Sequence, residues 1–541
     1  MDSSQAGPAT DQPAGTADPT PRRTGISRRG FVGAATAATA LTLIAKPAKV
    51  RAEGLTAERR RAVVIGSGFG GGIAAHRLAR AGVDTLVLER GLRWPTGPNA
   101  ETFAHTLSPD KRSTWLANTT AAGAPALFEK FTGIIERVPG VGMDIMCAAG
   151  VGGGSLNYHG MTLQPTEENF TRDLPGIEYG PMREIYYPRV LSVLQATTLP
   201  DDLWNHPAYE SSRRVADLID ASGHQHFRIP LPIDWDFARM ELNGQAKPAY
   251  TNSDLAYGVN NGGKNTVDVT WLKAAEDTGR VTVAPLHLVR DIARRPDGLS
   301  SVYTDRIDTG GTVLERKEII ADAVFLGAGS AGTTRLLMKA KAKNLIGNLP
   351  DGIGKNWGSN GDRIYQVRAA DGHWGQQGGP ACVGVKFWDD PEGPITIIHG
   401  TAPLPDLGIA TVVGYGSLAP RGEFVYDPGK DDAVLHWSED YDAALTTRIR
   451  AKVDQTFGSR PGSMVIDTTA TDKSTWHALG GATIGSACDS HGRVLEQRGL
   501  YVVDGALIPG TSGACNPSAT IAALAERCMD DILRNDLGTS F

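Results

Sequence analysis

The feature that most constrains this chain is a glycine turn between a strand-like run and a helical run. The β-branched segment RAVVIG ends at Gly66, and Gly66, Gly68 and Gly71 form G-x-G-x-x-G at the start of the helical run. A second short apolar run follows the helix and ends at Glu89. This order predicts a dinucleotide-binding βαβ unit rather than a tight turn without a ligand. The helix N-terminus would hold the diphosphate and Glu89 the ribose hydroxyls, and the charge of Glu89 disfavours NADP.

Composition limits the remaining possibilities. A chain of 541 residues exceeds what one hydrophobic core usually supports, so we expect two domains. The formal charge of -6 gives no basic surface for nucleic acid. The five cysteines lie scattered without a C-x-x-C pair, and the only H-x-H motif joins His224 and His226. We therefore expect no metal site, no disulfide framework and no nucleic-acid partner.

The N-terminal residues have the pattern of an export signal. Residues 1–26 are rich in Ser, Thr, Pro, Gly and Ala, and SRRGFVG at 27–33 precedes an uncharged run at 33–45. With a cleavage site at 50–52, these features predict secretion by the twin-arginine route, and a short buried helix is the alternative. That route exports folded proteins, which suits a protein that loads a cofactor in the cytoplasm. The mature chain would begin near Glu53, without an integral membrane segment.

Three further glycine-rich segments favour FAD over a nicotinamide cofactor. They are AAGVGGGSLNYHGM at 148–161, VFLGAGSAGTTRLLM at 324–338 and the stretch at 499–528. A long, buried flavin dinucleotide needs several places where backbone approaches ligand, which a nicotinamide enzyme rarely does. The last segment predicts a strand ending at Asp504-Gly505 and an apolar helix starting beyond Asn516-Pro517. The dipole of that helix would stabilise the reduced flavin.

With these segments in place, the chain resembles the glucose–methanol–choline (GMC) oxidoreductases, and within them the flavin-containing bacterial cholesterol oxidases. The matching stretches include LSPDKRSTW (107–115), GVGGGSL (150–156), APLHLV (284–289), FLGAGS (325–330) and DGALIPG (504–510). The resemblance implies an α/β fold with a doubly wound, Rossmann-like FAD-binding domain and a substrate domain with a large antiparallel β-sheet covered by helices. The expected segments are a signal and linker over 1–58, an FAD-binding domain over 59–163, 263–345 and 464–541, and a substrate domain over 164–262 and 346–463.

The resemblance also implies the residues of the site. His477 in TWHALGG stands at the family's catalytic histidine, with Ala478 in place of proline, and Asn516 in CNPSATI stands at its asparagine. An imidazole can take the proton of a hydroxyl, and an amide can hold the oxygen that becomes a carbonyl. The expected cofactor contacts are Gly66, Gly68, Phe69, Gly70, Gly71, Glu89, Gly153, Gly154, Tyr158, Met161, Val289, Asp504, Gly505 and Pro517. Non-covalent FAD is expected, because Asn157 stands where relatives that tether flavin have histidine.

The departures from the family pattern surround the substrate cavity. Cholesterol oxidases carry a glutamate base in the cavity roof, and the corresponding residue here is Gly400. The neighbouring His399 is the remaining candidate base if it points inward, since adjacent side chains of a strand face opposite ways. Tyr158 and His159 add bulk beside the flavin where the family has Asn-Gly, and Ser518 replaces a phenylalanine. An intact cradle with an altered cavity indicates a changed substrate.

Together these features predict an exported FAD-dependent alcohol oxidase. The hydroxyl would belong to an apolar, polycyclic or steroid-like molecule, with O2 as the acceptor and H2O2 as the product. One alternative is a flavin enzyme of the same fold that uses another acceptor or performs elimination or isomerisation. A second alternative is a catalytically silent ligand-binding relative. His477 and Asn516 speak against the silent relative, and the missing glutamate speaks for it.

Overall fold

The computed structural model describes residues 56–95, 97, 101–121 and 128–541. The predicted export signal lies outside the described residues. The strands are β1 (Thr56–Ile65), β2 (Thr85–Leu88), β3 (Ile135–Val138), β4 (Asp144–Ala148), β5 (His226–Arg228), β6 (Val281–Ala284), β7 (His287–Arg294), β8 (Ser300–Ile307), β9 (Val313–Leu326), β10 (Arg363–Arg368), β11 (Val383–Phe387), β12 (Ile395–Gly400), β13 (Ile409–Gly416), β14 (Glu423–Asp427), β15 (Asp432–His436), β16 (Met464–Asp467), β17 (Ser474–Thr475) and β18 (Leu500–Val502). The α-helices are α1 (Phe69–Arg80), α2 (Glu167–Asp173), α3 (Tyr179–Pro181), α4 (Tyr187–Leu194), α5 (Asp201–Trp204), α6 (Glu210–Ala221), α7 (Trp235–Leu242), α8 (Lys273–Glu276), α9 (Gly329–Ala342), α10 (Ala443–Val453) and α11 (Ser518–Asn535).

A parallel sheet carries the predicted nucleotide-binding unit. Its order is β6-β2-β1-β9-β18, and each neighbouring pair is parallel. The antiparallel hairpin β7-β8 extends this sheet from the N-terminal part of β9. The length of β9 makes both arrangements possible, because its first residues pair with β8 and its last residues pair with β18. The prediction of a Rossmann-like α/β fold is confirmed.

Helix α1 starts directly at the glycine turn. Gly66 has a φ of +90°, and a Cβ there would lie 2.4 Å from the carbonyl oxygen of Gly327. Only glycine fits this position, because a side chain would be strained by the backbone conformation and would collide with β9's end. Gly68 is the N-cap residue and Phe69 begins the helix. All four residues of β2 are buried, as expected for a parallel sheet that is covered on both faces.

The second sheet is antiparallel throughout, as the resemblance implies. Its order is β16-β10-β13-β12-β11-β5. Helices α6 and α10 cover one face, where Ile219 and Ile449 pack with Val385 and Val412. Strand β16 lies at the start of the last segment assigned to the FAD-binding domain, yet it pairs with β10 in this second sheet. The domain boundaries themselves stay a prediction.

Strand alternation determines which residues of β12 face the interior between the two sheets. Ile397 packs under α6 and α10, whereas Ile398 packs on the opposite face in a cluster with Tyr415. Because side chains alternate along a strand, His399 shares the face of Ile397 and Gly400 shares the face of Ile398.

Candidate active site

A cavity of about 520 Å³ opens beside the glycine turn, a size typical of small-molecule sites. The predicted cofactor contacts that line it are Gly66, Gly68, Phe69, Gly70, Glu89, Gly153, Gly154, Val289, Asp504 and Gly505. These residues come from four segments that are distant in sequence. They therefore meet at one cavity, which is what a long dinucleotide requires.

The protein leaves space at the turn where a diphosphate would lie. Among the described residues, a Cβ at Gly68 would approach only the Cα of Gly153, at 3.9 Å, and a Cβ at Gly154 would meet no atom within 4 Å. Helix α1 begins here without a side-chain cap and without acidic residues in its first turn. Its unpaired N–H groups are therefore available to a phosphate. The residues present fit the diphosphate of the FAD that the sequence predicts.

Glu89 lines the cavity and is also bound to the turn. One carboxylate oxygen accepts from the N–H of Ser67 (3.1 Å) and from its hydroxyl (2.6 Å), and the other accepts from the N–H of Gly91 (2.9 Å). A carboxylate has about four acceptor positions, so one is left for a ribose hydroxyl. Glu89 therefore holds the shape of the turn, and its contact with the ribose stays a prediction.

Asp504 ties the third glycine-rich segment to the C-terminal one. Its carboxylate accepts from the N–H of Gly329 (2.8 Å), the N–H of Ala506 (2.9 Å) and the hydroxyl of Thr333 (2.5 Å). Burial raises the pKa of Asp504 to about 6, although these donors act in the opposite direction. The side chain thus fixes the start of α9 at the cavity wall.

Two predicted contacts, Gly71 and Tyr158, lie behind the cavity wall. A Cβ at Gly71 would lie 2.0 Å from the carbonyl oxygen of Gly66, so this glycine allows α1 to pack closely on β1. The ring of Tyr158 meets Phe69 edge-on, with ring centroids 5.6 Å apart. Both residues support the turn from outside.

The last two predicted contacts, Met161 and Pro517, lie at the start of α11. The carbonyl of Met161 accepts from the hydroxyl of Ser518 (3.1 Å), and Pro517 is the N-cap residue of the helix. An apolar helix does begin beyond Asn516-Pro517, as the sequence predicts. Its effect on a reduced flavin stays a prediction.

The predicted catalytic pair, His477 and Asn516, lies next to the cavity. Trp476 and Ala478, on either side of His477, both line the cavity. The amide nitrogen of Asn516 is 3.3 Å from Nε2 of His477. The side chain of His477 is 22% accessible, whereas Asn516 is buried. The structure therefore brings the two residues together, with the histidine the more accessible of them.

Asp362 fixes the tautomer of His477. Its Oδ1 lies 2.7 Å from Nδ1 of the imidazole, and only 6% of the carboxylate side chain is accessible. Its Oδ2 accepts from the hydroxyl of Thr475 (2.9 Å) and from the N–H of Trp476 (3.2 Å). Nδ1 therefore carries the proton, and Nε2 of the neutral ring keeps a lone pair.

Tyr415 fixes the orientation of Asn516. The tyrosine hydroxyl donates to Oδ1 of the amide at 2.6 Å, so the NH2 group faces Nε2 of His477. This orientation agrees with the tautomer that Asp362 selects, because Nε2 accepts and the amide donates. The four side chains form one ordered chain of hydrogen bonds, which we call the Asp362–Tyr415 network.

The sequence did not indicate Asp362 or Tyr415. Asp362 follows Asn360-Gly361, a context in which aspartate is common for local turn reasons. Tyr415 lies in an apolar strand, where a tyrosine is typical of a buried sheet. A buried tyrosine hydroxyl usually has a hydrogen-bond partner, so a polar neighbour of Tyr415 is expected. This rule does not identify the neighbour.

The structure turns the side chain of His399 towards α6, whereas the role of a base requires it to point inward. His399 is fully buried against α6, where Nε2 lies 3.1 Å from the hydroxyl of Ser211 and Nδ1 lies 3.3 Å from that of Ser212. Burial, with the charge of His159, lowers the pKa of His399 to about 3. The physical reason is the alternation of β12, which turns Gly400 towards the interior between the sheets and His399 away from it.

No group of three or more His, Cys, Asp or Glu is placed to hold a metal ion within the part of the chain that the structure describes. None of the helices in the described ranges is long and apolar enough to cross a bilayer.

Comparison with known proteins finds similar families and relatives. The chain matches the GMC oxidoreductase family over residues 421–525 and the NAD(P)-binding Rossmann-like domain over residues 64–131. Cholesterol oxidase from Mycobacterium tuberculosis is 28% identical, and the match covers 86% of this chain and 89% of that protein. Cholesterol oxidase from Acinetobacter baumannii is 23% identical, with 87% of this chain and 94% of that protein covered.

A solved structure also shares the fold. Pyridoxine 4-oxidase from Mesorbium loti superposes with a TM-score of 0.58 and 17% sequence identity, over 87% of this chain and 99% of that chain. The family match, the cholesterol oxidase relatives and the nucleotide-binding unit together indicate a flavin cofactor. The chain is thus an oxidoreductase of the class that acts on CH–OH groups, similar to the GMC oxidoreductases and, among them, to cholesterol oxidases.

Proposed function

We propose that the protein is an FAD-dependent alcohol oxidase that binds the substrate hydroxyl between His477 and Asn516. The observation that carries the proposal is the Asp362–Tyr415 network next to a cavity with an open glycine cradle. Both groups that alcohol oxidation needs are present: an imidazole whose Nε2 is unprotonated and an amide donor beside it. The cholesterol oxidase relatives support an alcohol as the group that is oxidised.

The cavity residues supply the contacts that FAD requires. The N-terminus of α1 would hold the diphosphate, Glu89 the ribose, and the backbone at Gly153-Gly154 and Gly505 would allow close approach. Bound FAD would supply the two-electron acceptor for oxidation of the carbinol carbon. We propose non-covalent binding, because Asn157 offers no nucleophilic ring at the position where relatives tether flavin.

In the chemical step, His477 accepts the hydroxyl proton at Nε2. The imidazolium that forms keeps its hydrogen bond to Asp362, so the new positive charge develops beside a buried carboxylate. The amide nitrogen of Asn516 then donates to the oxygen that becomes the carbonyl. Tyr415 keeps the amide in this orientation. A positioned base of this kind contributes roughly 10²–10⁴ in rate.

The finer features of the proposal concern substrate, acceptor and export. The interior face of the second sheet is apolar, with Ile398, Met161 and Cys515 in one buried cluster, which suits an apolar, polycyclic or steroid-like molecule. We propose O2 as the acceptor and H2O2 as the product, because the similar proteins from Mycobacterium tuberculosis and Acinetobacter baumannii are oxidases. Secretion by the twin-arginine route is supported by the sequence of residues 27–52.

The proposal is tested with a panel of 3β-hydroxysterols and smaller polycyclic alcohols. We expect at least one of them to bleach the flavin without oxygen and to release peroxide when oxygen is admitted. Bleaching without peroxide would favour another acceptor. A flavin that no alcohol bleaches would contradict alcohol oxidation and favour the silent relative.

Gly400 leads to a prediction about the product formed from 3β-hydroxy-5-ene sterols. A shift of the double bond needs a base that lifts a carbon-bound proton, and Gly400 offers no side chain on the interior face of β12. We expect the enzyme either to leave such sterols unreacted or to release the unshifted 5-en-3-one. Chromatography of early time points decides the matter, and efficient formation of the 4-en-3-one would reveal another base. The His399→Ala variant should give the same product as the wild type, since its imidazole is bonded to Ser211 and Ser212.

A further inference from the structure

Asn516 follows directly on a loop of unusual backbone conformation, residues 510–515, which we call the 510–515 loop. Gly510, Gly513 and Ala514 in this loop have a positive φ, and Ala514 adopts a φ of +55° although it carries a side chain. A non-glycine residue in this conformation is strained, and it persists only where the surrounding structure holds it. The position of Asn516 therefore depends on contacts that reach the loop from other parts of the chain.

The side chain of Asn360 binds the 510–515 loop at two points. It is fully buried, and its Nδ2 donates to the carbonyl of Cys515 (2.9 Å), the residue directly before Asn516. Its Oδ1 accepts from the N–H of Ser512 (3.1 Å). An amide donates and accepts at once, which lets one side chain bridge two points of a backbone. The amide of Asn360 therefore holds both the middle and the end of the loop.

The backbone of Asn360 reaches two further parts of the site. Its N–H donates to the carbonyl of Gly510 (3.0 Å), and its carbonyl accepts from the N–H of Gly416 (3.3 Å). Gly416 directly follows Tyr415, whose hydroxyl orients the amide of Asn516. The backbone of this one residue thus connects the start of the loop with the end of β13.

The same turn carries Asp362, which binds the catalytic imidazole. Asn360 has a φ of +56° and Gly361 a φ of +72°, so two successive left-handed residues lead the chain into Asp362. Asparagine and glycine are the residues that adopt this conformation most readily. The carboxylate of Asp362 then lies 2.7 Å from Nδ1 of His477. One short turn thus holds the imidazole through the carboxylate and the catalytic amide through the loop before it.

We propose that Asn360 is a positioning residue that sets the distance between the NH2 group of Asn516 and Nε2 of His477. These two groups have to converge on one substrate oxygen, and a misplacement of about 1 Å in such a site can cost roughly 10²-fold in rate. Asn360 acts through the loop and not on the substrate, because its side chain is fully buried and both its polar atoms bind backbone groups. The inference rests on the proposed function for the roles of His477 and Asn516.

Two other side chains also hold the 510–515 loop. Oγ1 of Thr396 donates to the carbonyl of Ala514 (2.6 Å), and Oδ2 of Asp173 accepts from the N–H of Gly513 (2.6 Å). Both contacts remain when Asn360 is replaced. We therefore expect a substitution at Asn360 to displace the end of the loop without unfolding the protein.

Two variants separate the side chain of Asn360 from its backbone. Asn360→Gly keeps the left-handed conformation and both backbone hydrogen bonds but removes the two bonds of the side chain. Asn360→Asp keeps the shape and the acceptor that faces Ser512 but loses the donor to Cys515. Asn348→Gly is the matched control, because Asn348 is also left-handed, with a φ of +55°, and is exposed.

The first measurement needs no substrate. The flavin-loaded protein is labelled with ¹⁵N-histidine, and the Nε2 signal of His477 is assigned by its loss in His477→Ala. The shift of this signal reports the hydrogen bond from Asn516, and the Asn516→Ala variant marks the complete loss of that bond. We expect both Asn360 variants to move the signal at least half of the way to its value in Asn516→Ala. The Asn348→Gly control should leave the signal in place, and a merely structural role of Asn360 would change the unfolding temperature alone.

The second measurement is anaerobic flavin reduction by the alcohols of the sterol panel. We expect the limiting reduction rate of Asn360→Gly to fall roughly 10- to 10²-fold, with the dissociation constant of the alcohol nearly unchanged. On an Asn516→Ala background the same substitution should cause no further loss, because a positioning residue acts only through the group that it positions.

The outcomes separate this inference from the proposed function. An unchanged Nε2 signal in both Asn360 variants, a full additional loss of rate on the Asn516→Ala background, or failure of both variants to fold would each overturn the role of Asn360. A panel in which no alcohol bleaches the flavin would contradict the proposed function instead, while the Nε2 signal would still decide whether Asn360 sets the distance between His477 and Asn516.

Discussion

The His477→Ala variant is expected to keep its flavin and to lose roughly 10²-fold or more of the rate of anaerobic flavin reduction. The loss follows from the position of Nε2, which carries the lone pair that takes the hydroxyl proton. The imidazole lies beside the cavity wall formed by Trp476 and Ala478. Its removal therefore leaves the glycine cradle untouched. Rapid-mixing kinetics under anaerobic conditions measure the effect, and the His436→Ala variant serves as the control.

The Asp362→Asn variant tests the same proton transfer by changing the tautomer of His477. The donors Thr475 and Trp476 face Oδ2 of Asp362, so the oxygen of the new amide has to stay on that side. Its NH2 group then faces Nδ1 of His477 and forces the proton to Nε2, where it blocks acceptance of the substrate proton. We expect a loss of roughly 10²–10⁴-fold in flavin reduction with bound flavin retained. Near-normal reduction in both His477→Ala and Asp362→Asn would contradict the assignment of the base.

The cofactor cradle was predictable because its signal is contiguous in sequence. Strand, turn, helix and acid follow each other between Arg61 and Glu89, and each glycine acts within a few residues of its neighbours. The contacts of Glu89 with Ser67 and Gly91 were not predictable from spacing. Spacing places a carboxylate near the ribose, but it does not tell how many of its acceptor positions the protein itself occupies.

The catalytic network was only half predictable, for a reason that lies in the topology. His477 and Asn516 stand in segments with a recognisable local pattern. Asp362 directly precedes β10 and Tyr415 lies in β13, so both reach the same place from the second sheet, more than a hundred residues away in sequence from the partners they bind. Such contacts are set by the packing of the second sheet on the cradle, which no local pattern encodes.

The orientation of β12 shows a different limit of prediction from sequence. Its period of two predicts that His399 and Gly400 face opposite ways, and this alternation is observed. The sequence does not tell which of the two faces points to the site, because both faces of this strand are buried and apolar. The serine pair on α6 that binds His399 becomes informative only when the helix is placed.

The Gly68→Val variant is expected to fold and to lose its flavin. Gly68 has a φ of −71°, which any residue adopts, and its nearest described neighbour for a Cβ is the Cα of Gly153 at 3.9 Å, so the protein itself tolerates a side chain there. A branched side chain would instead fill the space between backbone and diphosphate. Flavin absorbance after gel filtration and the unfolding temperature of the flavin-free protein are the two measurements. Gly347→Val, at an exposed glycine with open surroundings, is the control that should keep the flavin and the wild-type stability. Gly70→Ala, whose Cβ would lie 1.9 Å from the carbonyl oxygen of Val503, should lose both the flavin and the stability. Full flavin content in Gly68→Val would mean that the glycine cluster is a turn without a ligand.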